Sequence, residues 1–261
     1  MIHKEIEFYN GIQLLNKYDS FIDFYWKPHY MKNGLPVIQP KTDMEKDIML
    51  LQKRLNNPQE YDKDTVEHFT TMVNNLVDKI KFKFISTIPK ENQKYALFRY
   101  HTIGALNNIS LSVSPELKKK WGITFELFGA FYNTNHPYCG LFNDLEPNCL
   151  TDVLHFKLQP NMTLLVNPPY MEEWINTSYE LIGKFLRSHK KTTIYFVVPV
   201  WNTIDRKKLN LPQCDDLPIL DALKLSKYLI SHTIEQLPFY DGIRKKQIHL
   251  KDKVHVYHLT N

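Results

Sequence analysis

The apolar positions change their spacing along the chain. Residues 1 to about 42 show no sustained period, and Pro28, Pro36 and Pro40 punctuate them, so an irregular aromatic-rich opening is expected. A helical period then sets in. Asp43 can cap a helix running to about Asn56, with Ile48, Leu51 and Leu55 on one face, before Pro58 breaks it. A second helix is expected from about Asp62 to Lys81, where Val66, Phe69, Val73, Leu76, Val77 and Ile80 recur at helical spacing. YALFRYHTIGAL reads as another helix. Pro115 to Lys120 reads as a short one ending at Trp121-Gly122.

Beyond that point short apolar runs dominate. Ile123 to Phe128, Thr163 to Val166, Thr193 to Val198 and the closing KVHVYHL read as strands. Glu172 to Ser188 is an amphipathic helix with Ile175, Tyr179, Ile182 and Leu186 on one face. Apolar strands alternating with helices predict a mainly parallel sheet covered on both faces. Ligands of such sheets sit beyond the carboxyl ends of the strands. The unusual residues of Glu126–Gly129, Asn167–Tyr170 and Pro199–Trp201 all fall at such ends.

Composition adds bounds. The 261 residues are 43% hydrophobic, enough for one large α/β domain or for one domain with a smaller helical annex. The net charge of +5 is compatible with an anionic partner without requiring one. Three scattered cysteines make neither a disulfide framework nor a metal site, and the histidines show no HExxH spacing. No metal is expected. MIHKEIEFYNG carries acids and no long apolar core, and no run approaches a membrane span, so a soluble intracellular protein is expected, in nucleus or cytoplasm.

The chemistry lies in LLVNPPY. The exocyclic amino group of a nucleobase is a poor nucleophile because its lone pair is delocalised into the ring. Two acceptors can hold its hydrogens and orient that lone pair. The side-chain carbonyl of Asn167 is one, and the backbone carbonyl of Pro168, or of its neighbour, is the other. Pro168 and Pro169 stiffen the segment. Tyr170 can stack on the flat base. A methyl donor, S-adenosylmethionine, needs a second strand end with an acid and a close-approach glycine. Glu126 and Gly129 in FELFGA answer that need.

NPPY resembles the [D/N/S]-P-P-[Y/F/W] signature of amino-group methyltransferases. Together with GITFELFGAFYN, FNDLEPN, LLVNPPYMEEWI, FVVPVW and LPFYDG…KVHVYHLTN, in that order, the chain resembles the phosphorylated-CTD-interacting-factor family of cap-specific adenosine N6-methyltransferases over about residues 95 to 261. The resemblance implies an α/β fold: a Rossmann-like S-adenosylmethionine-dependent methyltransferase domain over residues 96–261, preceded by an N-terminal segment and helical domain over 1–95. It implies methylation of N6 of the first transcribed 2′-O-methyladenosine beside the 7-methylguanosine cap, with S-adenosylhomocysteine as product. Asn167, Pro168, Pro169 and Tyr170 would be the catalytic motif, with Tyr170 where that family's enzyme has Phe. Glu126, Phe128, Gly129, Asn133, Asp144 and Asn167 would face the cofactor, and Trp201 the substrate. The family's animal members carry a WW domain, and no such module is seen here.

Basic clusters at Lys118–Lys120, Lys190–Lys191, Arg206–Lys208 and Arg244–Lys246 read first as solvated surface. With nearby aromatics they could track capped mRNA, and Arg206, Lys207, Arg244 and Lys245 rank highest as substrate contacts. An activating protein partner is compatible with this reading; a membrane is not expected. Two alternatives stay open: a DNA or internal-RNA adenine methyltransferase, and a non-catalytic RNA-binding subunit that keeps the fold.

Overall fold

The computed structural model describes residues 1–15, 31–32, 35–36, 43–85, 88–103, 106, 111–140, 148–153, 156–170, 172–189, 191–200 and 225–261. Two compact units emerge. One contains Met1–Ile109, and the other is built from Ser110–Leu141 and Asn148–Asn261.

The first unit is helical: α1 (Ile2–Leu15), α2 (Asp43–Asn56), α3 (Lys63–Ile80) and α4 (Lys90–Thr102), with a two-stranded hairpin of β1 (Met31–Lys32) and β2 (Leu35–Pro36). The α3 start is fixed by Asp62, whose carboxylate accepts from Thr65 N at 2.7 Å. Its end is fixed by Lys81 in the left-handed region, φ 56°. Ile6, Phe69, Val73, Tyr95 and Phe98 from α1, α3 and α4 form the core.

Helix α1 overturns the expected irregular start. Its period is obscured because it buries two acids, Glu5 and Glu7, beside Ile6, Phe8 and Ile12. The Arg99 guanidinium donates to both Glu5 oxygens at 2.6 and 2.7 Å, and Gln59 N donates to Glu7 at 3.3 Å. Because α4 packs with α1 and α3, the boundary falls near 109 and not at 95.

The second unit is mixed α/β. Its seven-stranded sheet contains β4 (Phe125–Glu126), β5 (Tyr138–Gly140), β6 (Cys149–Asp152), β7 (Thr163–Val166), β8 (Thr193–Pro199), β9 (Leu229–Glu235) and β12 (Val254–Thr260). The strand order is β6-β5-β4-β7-β8-β12-β9. The first five in that order pair in parallel, while β12 runs antiparallel to both β8 and β9. A smaller antiparallel sheet has the order β11-β10-β3, from β3 (Leu111–Val113), β10 (Pro238–Asp241) and β11 (Lys246–His249).

Both faces of the large sheet are covered. On one face Leu165, Val197, Val254 and Val256 pack with Val113 and Phe239 of the small sheet, with Leu237 just before β10, and with Leu117 and Trp121 of α5 (Pro115–Trp121). On the other, α6 (Glu172–Ser188) lays Tyr179 edge-on against Phe196, ring centroids 4.8 Å apart.

The expected alternation of strand and helix holds only in part. α6 bridges β7 and β8 as expected, but the residues from Leu127 to Pro137 between β4 and β5 form turns. The β4 strand is also shorter than the apolar run Ile123–Phe128. Its partners Leu164 and Leu165 allow two paired residues, after which the chain turns at Leu127-Phe128.

Candidate active site

The sheet order reverses its progress at β4. From there the chain moves outward through β5 and β6 on one side, then returns to add β7 and β8 on the other. The crevice beyond the carboxyl ends of β4 and β7 is therefore a topological switch point, where open α/β sheets bind ligands. Asn167–Pro168–Pro169–Tyr170 follows β7 directly, and Leu127–Gly129 follows β4 directly. The structure brings the two strongest sequence motifs to adjacent strand ends.

At the β7 end, Val166 is fully buried and Pro168 is buried, while Asn167, Pro169 and Tyr170 are half-buried. The Tyr170 hydroxyl donates to Asn167 Oδ1 at 3.3 Å. The Tyr170 ring packs on the cluster of Leu165, Val197, Phe239 and Val256. Burial there raises the phenol pKa well above its usual value, so it stays protonated as a donor. In this arrangement the Tyr170 hydroxyl is joined to Asn167 and its ring rests on the core.

At the β4 end, Glu126 is almost completely buried, and both of its oxygens are engaged. Lys118 Nζ donates to Oε1 at 2.5 Å and Ser112 Oγ to Oε2 at 3.0 Å, while the Thr134 hydroxyl also donates to Oε1. Lys118 further donates to the Asn133 carbonyl at 3.3 Å. Lys118 therefore does not share the solvated surface expected of Lys118–Lys120. The helical turn of α5 directs it inward while Lys119 and Lys120 stay exposed.

The loop after β4 is held from several sides. Ala130 N donates to Asn133 Oδ1 at 2.9 Å, so the Asn133 carboxamide closes the turn. A Cβ at Gly129 would lie 2.7 Å from Tyr138 Cβ, so glycine here admits a neighbouring side chain. Phe128 is half-buried and meets the Trp174 ring edge-on at 5.6 Å.

Arg244 and Lys245 lie in the turn between β10 and β11. Buried Asp241 accepts from Ile243 N at 2.9 Å, Arg244 N at 2.8 Å and the Arg244 guanidinium at 2.9 Å. Lys245 is left-handed at φ 53°, and its Nζ donates to the Tyr132 carbonyl at 3.0 Å. Burial lowers its pKa from the ordinary lysine value. Lys245 braces the turn against the loop after β4, while Arg244 closes the turn on Asp241 and most of its side chain stays open to solvent. Asp144, Trp201, Arg206 and Lys207 lie outside the described residues.

Sequence reasoning missed Trp174. It stands in the first turn of α6, is 2% exposed, and its indole Nε1 has no hydrogen-bond partner among the described residues. Thr177 Oγ1, three residues on and also buried, is in the same condition. The available signal was a Trp and a Thr three apart on the apolar face of an amphipathic helix. Among the described residues no group of three or more acids, histidines and cysteines is placed to hold a metal ion, and no helix is long and apolar enough to cross a membrane. Compared with known proteins, the chain matches no protein-family model and no curated protein sequence.

Proposed function

We propose that the chain is an S-adenosylmethionine-dependent adenine N6-methyltransferase whose substrate is the first transcribed adenosine beside the 7-methylguanosine cap of mRNA. The observation that carries the proposal is the position of Asn167–Pro168–Pro169–Tyr170, directly after β7 at the switch point and beside the loop that follows β4. Counted within the large sheet, the strand order is 3-2-1-4-5-7-6. Its first five strands follow the doubly wound nucleotide-binding order, with a reversed seventh strand placed before the sixth. That order supports the Rossmann-like reading.

The residues present suit the cofactor. A half-buried phenylalanine and a buried indole N–H with no partner among the described residues adjoin the β4 end, which fits a flat heterocycle bearing acceptors. Phe128 and Trp174 would hold it there, while Glu126, Lys118 and Asn133 keep the loop in shape. When bound, S-adenosylmethionine supplies a sulfonium methyl group that the amino nitrogen attacks.

The chain's own work is positioning. Asn167 Oδ1 has two lone pairs, and Tyr170 uses one. The other can accept one hydrogen of the adenine amino group, and the Pro168 carbonyl can accept the second. Holding both hydrogens out of the ring plane turns the nitrogen lone pair toward the methyl group. The proton can leave after the nitrogen has become cationic, so no tuned general base is required.

Short RNAs test the proposal: capped and uncapped, beginning with A or G, beside an adenine-containing DNA, each incubated with methyl-labelled cofactor. Label on the first adenosine only when the cap is present is the expected result. Label on uncapped RNA or on DNA would move the function to a broader adenine methyltransferase. Cofactor binding absent altogether would favour a non-catalytic RNA-binding subunit.

A further inference from the structure

A buried donor without an acceptor is costly, because the water it left is not replaced. Among the described residues, Trp174 Nε1 is such a donor. The Tyr179 and Thr192 hydroxyls, also without a partner among the described residues, are placed differently: Tyr179 lies against Phe196 in the body of the sheet, and Thr192 precedes the start of β8. The Trp174 ring, by contrast, meets Phe128, two residues beyond the end of β4. It also lies one helical turn past the Asn167–Tyr170 motif, at the N-terminus of the 17-residue α6.

We propose that Trp174 Nε1–H donates a hydrogen bond to a ring nitrogen of an adenine bound at this switch point, with Phe128 against the heterocycle. The inference rests on the methyltransferase reading and adds the residue that recognises the base. A flat ring carrying uncharged acceptors matches an aromatic wall with a single N–H. A carboxylate or phosphate matches less well, because the buried Lys118 ammonium is already paired with Glu126 at 2.5 Å. Thr177 Oγ1, on the same helix face, offers a second polar contact for the same ligand edge or for a water beside it. Both the cofactor and the proposed substrate carry adenine, so the recognition chemistry is shared.

The chain has 4 tryptophans, so its indole N–H region in an amide proton–nitrogen spectrum contains few signals. The one lost in Trp174→Phe belongs to Trp174. If that variant does not fold, Trp26→Phe, Trp121→Phe and Trp201→Phe identify it by elimination. Addition of S-adenosylhomocysteine should move this signal downfield if the cofactor's adenine is the acceptor. If the substrate's adenine is the acceptor, the signal should move only when a capped adenosine dinucleotide joins that complex. In either case Trp174→Phe should weaken binding of the responsible ligand about tenfold in calorimetry. A signal that moves with neither ligand, while calorimetry shows S-adenosylhomocysteine bound, overturns this inference and leaves the methyltransferase reading standing. Failure of the wild-type chain to bind S-adenosylhomocysteine overturns both.

Discussion

Lys118 carries more of the site than its sequence context suggests. In a run of three lysines it reads as a solvated surface charge, yet it is 2% exposed and joined to Glu126. Removing one partner of a buried ion pair leaves the other charge unbalanced. Lys118→Met should therefore cost about 3–5 kcal/mol of stability, read as a lowered urea midpoint. A midpoint equal to wild type would mean that Glu126 is not buried against Lys118. Tyr170 presents a different test. As a stacking plate it should be replaceable by Phe without effect. As a donor to Asn167 Oδ1, its hydroxyl should matter: Tyr170→Phe should lower kcat about tenfold while leaving cofactor affinity and stability within about 1 kcal/mol of wild type. Unchanged turnover would return Tyr170 to a stacking role. The NPPY stretch itself was readable because prolines at a strand end are a local signal. The partners of Glu126 were not, because Ser112, Lys118 and Thr134 reach it from three different segments.

Among the elements, the turn between β10 and β11 depends on close packing against backbone. A Cβ on Gly242 would run into the Tyr132 carbonyl and the Asn133 side chain, and the obstructing carbonyl is backbone that cannot swing away. Gly242→Ala should destabilise the protein by about 1–3 kcal/mol through overpacking and loosen the loop after β4. Thermal melting checks the first effect, and faster amide exchange at Ala130–Asn133 checks the second. A variant as stable as wild type would show that the turn does not press on that loop. Helices with clean periods, α2, α3 and α6, lie where their apolar spacing predicts. Helix α1 escaped detection because its buried face includes Glu5 and Glu7, whose partners come from far along the chain. The strands β5, β6, β10 and β11 escaped because segments of 3 or 4 residues carry too little pattern.

At the scale of the whole molecule, histidine burial sets the expected response to acid. Desolvation lowers the pKa of His101, His136, His232 and His258, with Lys79 adding to the effect at His101. Their folded pKa values therefore lie below the unfolded value of about 6.5. The unfolded chain binds protons first as pH falls, so stability should be level above about pH 7, decline as pH drops through about 6.5, and flatten once the folded values are passed. Urea midpoints between about pH 7.5 and 5.5 read this directly. A midpoint that rose toward pH 5.5 would contradict the burial of these rings. The α/β class was visible in the apolar strands and in α6. The reversed β12 between β8 and β9 was not, since strand direction depends on pairing partners.

The central claim is that Asn167 presents an acceptor to an adenine amino group while a methyl group is transferred to it. The most direct measurement is nucleoside analysis of a capped, adenosine-initiated RNA after incubation with S-adenosylmethionine and either the wild-type chain or Asn167→Ala, with cofactor affinity measured in parallel. The expected result is N6-methyladenosine at the first position with wild type and at least about a hundredfold less with the variant, at similar cofactor affinity. N6-methyladenosine formed at near wild-type rate by Asn167→Ala would contradict the account.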